Sequence, residues 1–246
     1  MHVVVTCRDR TSLVRTVARR LEVFLTGLQA ERQSAVQVCL AGGRVAGEIY
    51  RQVSIDEIYR HVSTNAPVGI DWSRLELWWG DERFVPLGSP ERNAGQILSV
   101  LASAIPLDRA LIHPMPSSSG QSADIRRAAQ HYAEELGDTT FDLCLLGMGE
   151  DGHVASLFPG HPDFDPRTTK RVVAVGDAPK PPPDRLSLTL PVLNSSGEIW
   201  MLVAGADKAE AVSRAIARDK SLPAGQVCGR NRTVWFLDEE AAAELG

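Results

Sequence analysis

Short apolar runs that stop at glycine or at charge alternate along this chain with longer stretches whose apolar positions recur every three to four residues. Residues 3–5, 35–41, 75–79, 143–146, 171–175, 186–190, 198–204 and 233–237 have the length and bounding of strands. Leu13, Val14, Val17, Leu21, Phe24, Leu25 and Leu28 trace one face of a helix that Thr11 or Ser12 would cap. Arg15, Arg19, Arg20 and Glu22 fall largely on its other face and read as solvated surface. Further helices are predicted over residues 45–53, from Asn93 with Ile97, Leu98 and Leu101 inward, and over 123–136, 209–218 and 239–245. Ser54-x-x-Glu57 has the form of a capping box and predicts a short helix through residues 60–62, which Asn65-Ala66-Pro67 would break. Residues 114–122 read as an exposed loop, and the prolines of residues 179–183 exclude both helix and central strand.

Strand and helix therefore alternate through most of the chain. That order predicts an α/β fold, a largely parallel sheet flanked by helices on both faces, and the length of 246 residues suits one domain over residues 1–246. In a parallel sheet the C-terminal ends of the strands share an edge, which is where such folds keep their chemistry. Four strand ends, at Gly42-Gly43, Gly80 to Arg83, Gly147 to His153 and Gly205 to Lys208, combine glycine with charge and are expected to converge there.

Composition narrows the class. Hydrophobic residues make up 43% and charged residues 23%, ordinary values for a globular chain able to bury a sizeable core. The formal charge of −5, with no basic block, argues against nucleic acid as a partner and requires that any anionic ligand be held by locally placed cations. Cys7, Cys39, Cys144 and Cys228 form no CxxC pair, so zinc and redox motifs are not indicated and reduced thiols are the expectation. The N-terminal residues do not have the pattern of an export signal, and no run of about 18 apolar residues occurs. A cytoplasmic protein without membrane contact is expected; the sequence sets no oligomeric state and is compatible with a monomer.

The densest chemistry lies in residues 141–162. A strand of the fully buried type runs into Gly147-Met148-Gly149 and then delivers Glu150, Asp151 and His153 to one loop. An imidazole is basic and mostly neutral near cell pH, its ordinary pKa being about 6.5, and a neighbouring carboxylate can orient it and stabilise its charged form. Arg44, Arg83, Arg185 and Lys208 are candidate cations for an anionic substrate, aided by the Gly42-Gly43 amides; their division of labour stays open. No G-x-S-x-G presents a serine nucleophile, and no recurring His, Asp or Glu spacing marks a metal site.

Gly42-Gly43-Arg44, Asp81-Glu82-Arg83 with Val85-Pro86 and Asn93, the run from Gly147 to Pro159, Arg185 ahead of a Thr-Leu-Pro strand end, and Gly205-x-x-Lys208 resemble the 6-phosphogluconolactonase family in order and spacing. The resemblance implies the fold of sugar-phosphate isomerases and deaminases. It implies hydrolysis of 6-phospho-D-glucono-1,5-lactone without metal or other cofactor, in the oxidative pentose phosphate pathway, with a small sugar-phosphate lactone as partner. It assigns His153, Asp151 and Arg83 to catalysis, and Gly42, Gly43, Arg44, Asp81, Glu150, Arg185 and Lys208 to the substrate.

The chain departs from the family where many members carry Thr-Pro after the glycine pair; Val45-Ala46 stand here, without a hydroxyl. Glucosamine-6-phosphate deaminases share several of these elements but carry a glutamate where this chain has Phe158, and that glutamate assists ring opening. A non-catalytic sugar-phosphate sensor is the alternative from another class. The intact Asp151-x-His153 loop favours turnover.

Overall fold

The computed structural model describes residues 2–62, 69–102, 104–120 and 123–246. Their strands are β1 (His2–Cys7), β2 (Val36–Leu40), β3 (Leu75–Trp79), β4 (Asp81–Arg83), β5 (Ile112–His113), β6 (Leu143–Leu146), β7 (Val172–Val175), β8 (Arg185–Leu188), β9 (Glu198–Val203) and β10 (Arg232–Asp238). The helices are α1 (Arg10–Glu31), α2 (Arg44–Val62), α3 (Asn93–Leu101), α4 (Ile125–Leu136), α5 (Leu190–Asn194) and α6 (Ala209–Ile216).

Seven strands form one parallel sheet in the order β1-β10-β9-β6-β2-β3-β5. Its central strands read as largely apolar runs because both faces are covered: every residue of β6 and β9 is buried. Trp79, Trp200 and Trp235 are among the largest fully buried side chains. Each indole removes roughly 150–250 Å² from water, worth about 4–6 kcal/mol at about 25 cal/mol per Å². Helix α1 packs on α2 and α2 on α3, and Tyr132 of α4 bonds through its hydroxyl with the backbone of Trp79 and His113.

A second sheet, antiparallel in the order β4-β8-β7, departs from the single parallel sheet that the sequence pattern predicts. Strand β3 runs through Gly80 directly into β4, so Asp81-Glu82-Arg83 is an edge strand of this sheet, with Asp81 and Glu82 buried and Arg83 half-buried. The two sheets meet at the strand ends that carry the charged residues.

Several local expectations are corrected. Asp9, rather than Thr11 or Ser12, caps α1: its carboxylate accepts from the Ser12 amide, and the Ser12 hydroxyl accepts from the Asp9 amide. The capping box at Ser54 does not start a helix, because α2 runs without a break across it and the Ser54 hydroxyl donates to the Val100 carbonyl. The expected break at residues 65–67 lies outside the described residues. Met115 and Ser117 are buried in what reads as an exposed loop, and residues 239–245 form turns instead of a helix. The short strand β5 and helix α5 escape the sequence pattern.

Candidate active site

The C-terminal ends of β2, β3, β6 and β9 lie side by side in the sheet, and their loops enclose a two-part cleft. The larger part, about 310 Å³, is lined by Arg10, Arg44, Asp207 and Lys208 among others. The smaller, about 160 Å³, is lined by Asp81, Arg83, Asn93, His153 and Arg185. Gly42, Gly43, Gly147 and Met148 line both, so one ligand can reach from one part into the other. Arg44 and Arg83 also border an outer depression of about 380 Å³ with Arg51.

His153 is held from two sides. Asp151 Oδ1 lies 2.5 Å from its Nδ1, and the ring packs on Phe158 at 4.6 Å between centroids. An ionised carboxylate can only accept a hydrogen bond, so this pairing puts the ring proton on Nδ1 and leaves Nε2 as the basic nitrogen. Burial disfavours the Asp151 anion, but the hydrogen bond and charge of His153 outweigh it and hold the carboxyl below its ordinary range. The turn needs glycine at position 149: a Cβ there would overlap both Asp151 and the His153 ring.

Glu150 bridges two lysines, Lys180 Nζ at 2.6 Å and Lys208 Nζ at 2.9 Å. Those two bonds, Lys180 first, hold its carboxyl well below the ordinary carboxylate range. Glu150 lines neither part of the cleft and stands half-exposed between the two lysines it pairs with. Lys208 also pairs with Asp207 at 3.0 Å. Burial works against its charge, and the two carboxylates more than offset that, raising its pKa.

Arg185 is not a surface residue. It is 5% exposed and stacks on Phe158 at 5.8 Å, with Nε donating to the Pro182 carbonyl and Nη2 to those of Lys180 and Pro181. It lines the smaller cavity while fixing the proline-rich loop that brings Lys180 to the Asp151 turn. Arg83 is anchored by Nη1 to the Glu91 carbonyl at 2.7 Å.

Asp81 accepts from the Ser156 hydroxyl at 2.7 Å and from the Asn93 side-chain amide at 3.3 Å. Asn93 packs so closely over Gly42 that a Cβ at that glycine would collide with its side chain, so the glycine pair is needed for close approach as well as for a turn. Beneath them Glu82, fully buried, accepts from the amides of Arg83, Asn93 and Ala94, with Arg92 Nη2 at 3.5 Å. The last two amides are free donors at the start of α3, whose own N-cap side chain makes no capping bond. Glu82 thus caps a helix eleven residues onward, with no local signature in the sequence.

Arg10 and Asn93 also line the cleft, and Lys180 reaches its edge through Glu150, none of them marked as a site residue by the sequence pattern. Asn93 was visible as a helix start and Lys180 as part of the proline-rich run, but their meeting with Asp81 and Glu150 is purely tertiary.

A parallel sheet whose glycine-rich strand ends carry an imidazole, carboxylates and clustered cations is the architecture of α/β enzymes that act on sugar phosphates. The family model described as glucosamine-6-phosphate isomerases/6-phosphogluconolactonase matches residues 8–235, and the chain belongs to that family. A 6-phosphogluconolactonase of Streptomyces coelicolor is 42% identical, with 97% of this chain and 92% of that protein covered. One from Mycobacterium tuberculosis is 40% identical over 96% of each chain. The crystal structure of a 6-phosphogluconolactonase from Thermotoga maritima superposes with a TM-score of 0.81 at 28% identity, covering 97% of this chain and 100% of the other.

Proposed function

We propose that this chain hydrolyses 6-phospho-D-glucono-1,5-lactone to 6-phospho-D-gluconate in the cytoplasm, the lactone-opening step of the oxidative pentose phosphate pathway. The observation that carries this reading is the Asp151–His153 pair beside a cationic cleft, packed on Phe158. Phe158 occupies the place where the deaminases carry a ring-opening glutamate, and it is 1% exposed, so no carboxylate stands there to move that proton.

Nε2 of His153 takes a proton from water as the oxygen attacks the lactone carbonyl carbon. Arg83, in the same cavity, faces the negative charge that develops on the carbonyl oxygen. Collapse of the tetrahedral adduct breaks the bond to the ring oxygen, and the imidazolium returns the proton to that leaving oxygen. The acid product then ionises in solution. The order of charges needs no metal, and activity is expected to survive chelation. Arg44 and Lys208, with the Gly42-Gly43 backbone, take the phosphate in the larger cavity.

The test follows lactone hydrolysis against its spontaneous background, with ammonia release from glucosamine 6-phosphate in parallel. Lactone turnover without ammonia is the expected result. Ammonia release, or lactone decay at the spontaneous rate with tight product binding, would replace this reading by a deaminase or a sensor.

A further inference from the structure

Charge bookkeeping in the larger cavity leaves Lys208 poorly placed to hold a phosphate unaided. It already faces two carboxylates, Glu150 at 2.9 Å and Asp207 at 3.0 Å. A phosphomonoester near neutral pH carries close to two negative charges, its second pKa being about 6. Binding it there requires positive charge that the protein has not already neutralised.

Two guanidinium groups meet that requirement. Arg44 stands exposed at the first residue of α2, and Arg10 stands half-buried at the first residue of α1, just beyond the C-terminal end of β1. Both line the cavity, and neither side chain makes an ion pair or hydrogen bond among the described residues. Arg10 is the more telling of the two. Its Nε is buried and, like those of Arg32, Arg74, Arg83 and Arg171, has no hydrogen-bond partner among the described residues. Its Nη2 lies 4.0 Å from where a Cβ on Gly205 would stand, which brings the guanidinium against the loop leading to Lys208. Val45 and Ala46, also in the lining, offer apolar side chains only.

We infer that Arg10 is a substrate-selecting residue of this site: it binds the phosphate in the larger cavity and gives the enzyme a preference for phosphorylated over free sugar lactones. With Arg44 it supplies the two uncompensated charges that a phosphate dianion needs. Its planar fork matches two phosphate oxygens, whereas Lys208 contributes a point charge already shared with carboxylates. This inference rests on the lactonase reading for its substrate and on the cavity alone for its anion.

The experiment compares wild type with Arg10→Ala and Arg10→Lys on 6-phosphogluconolactone and on unphosphorylated glucono-1,5-lactone. It also measures binding of inorganic phosphate and of 6-phosphogluconate by calorimetry. Arg10→Ala is expected to lower the ratio of kcat/KM between phosphorylated and free lactone about tenfold, acting through KM, and to weaken both anions by about the same factor. Arg10→Lys should recover part of each loss. An unchanged ratio with unchanged anion binding would overturn the inference, and equal losses on both lactones would reduce Arg10 to a structural role and overturn it as well. If wild type hydrolyses neither lactone, the functional reading fails by itself. The calorimetric comparison still decides Arg10.

Discussion

A single oxygen of Asp151 reaches both the ring Nδ1 of His153, at 2.5 Å, and the backbone N–H of the same residue, at 3.3 Å. The carboxylate therefore fixes the orientation of the imidazole and the turn that carries it. His153→Ala is expected to lower kcat by about 10²- to 10⁴-fold, the range of a lost general base. Asp151→Asn, which removes the demand for a proton on Nδ1, should cost about 10²-fold or more. Steady-state kinetics on variants with unchanged thermal unfolding checks both, and wild-type kcat in either would refute the assignment.

Lys208→Ala should act chiefly on KM, raising it about tenfold, because a cation at the phosphate end contributes to ground and transition state alike. A fall in kcat at constant KM would move Lys208 to the reacting end of the substrate.

Phe158 supports His153 on one side and Arg185 on another. Phe158→Ala should lower stability by about 3–5 kcal/mol, as for other buried aromatic deletions, and should loosen the imidazole with it. Denaturant titration measures the first effect and kcat the second. A stable variant with normal turnover would show that the ring is only filling.

The buried Glu82–Arg92 pair should be costly to break. Glu82→Ala leaves Arg92, 2% exposed, without its carboxylate and uncaps α3, an expected loss of about 3–5 kcal/mol in denaturant unfolding. Burial raises the Glu82 carboxyl above its ordinary value, against the pull of the amides and of Arg92. Its ionisation penalty is thus full above the folded-state pKa and vanishes below the ordinary one.

Glu150 has the opposite sign. Held below its ordinary value of 4.5 by Lys180 and then Lys208, it adds stability above about pH 4.5 that disappears as pH falls through its folded-state value. Its side chain is 52% exposed, so screening limits the contribution to less than about 1 kcal/mol. Glu150→Gln should flatten the acid side of the stability curve by that amount, which urea titrations at pH 3 and pH 7 would detect. An unchanged difference between the two pH values would remove Glu150 from the ion network.

The parallel sheet and the meeting of its glycine-rich strand ends were legible, because buried strands and glycine stops leave a local pattern at Leu143 to Gly147 and at Val36 to Gly43. The Asp151–His153 pair was legible for the same reason, two residues apart in one loop. Glu82 was not, since its partners are amides at Asn93 and Ala94 that only the turn between β4 and α3 brings to it. Arg185 is legible as a candidate cation, but nothing in the sequence shows that the folded proline-rich loop turns three carbonyls toward it. The Ser54 capping signature misled because a tertiary acceptor, the Val100 carbonyl, took its hydroxyl. Local chemistry announces itself in order along the chain, and long-range satisfaction of buried polar groups does not.

Strand β1 is the edge of the large sheet and its neighbour is β10, whose pairing register joins His2 to Thr233 and Cys7 to Asp238. During synthesis β1 must therefore wait for β10, far downstream in the chain, before it can pair. Arg10, three residues beyond the end of that strand, is held in the cavity it shares with Lys208 only once β1 has paired with β10. A chain that stopped short of residue 232 would hold the Asp151–His153 loop without β1 fixed beside β10, and so without Arg10 held at the larger cavity.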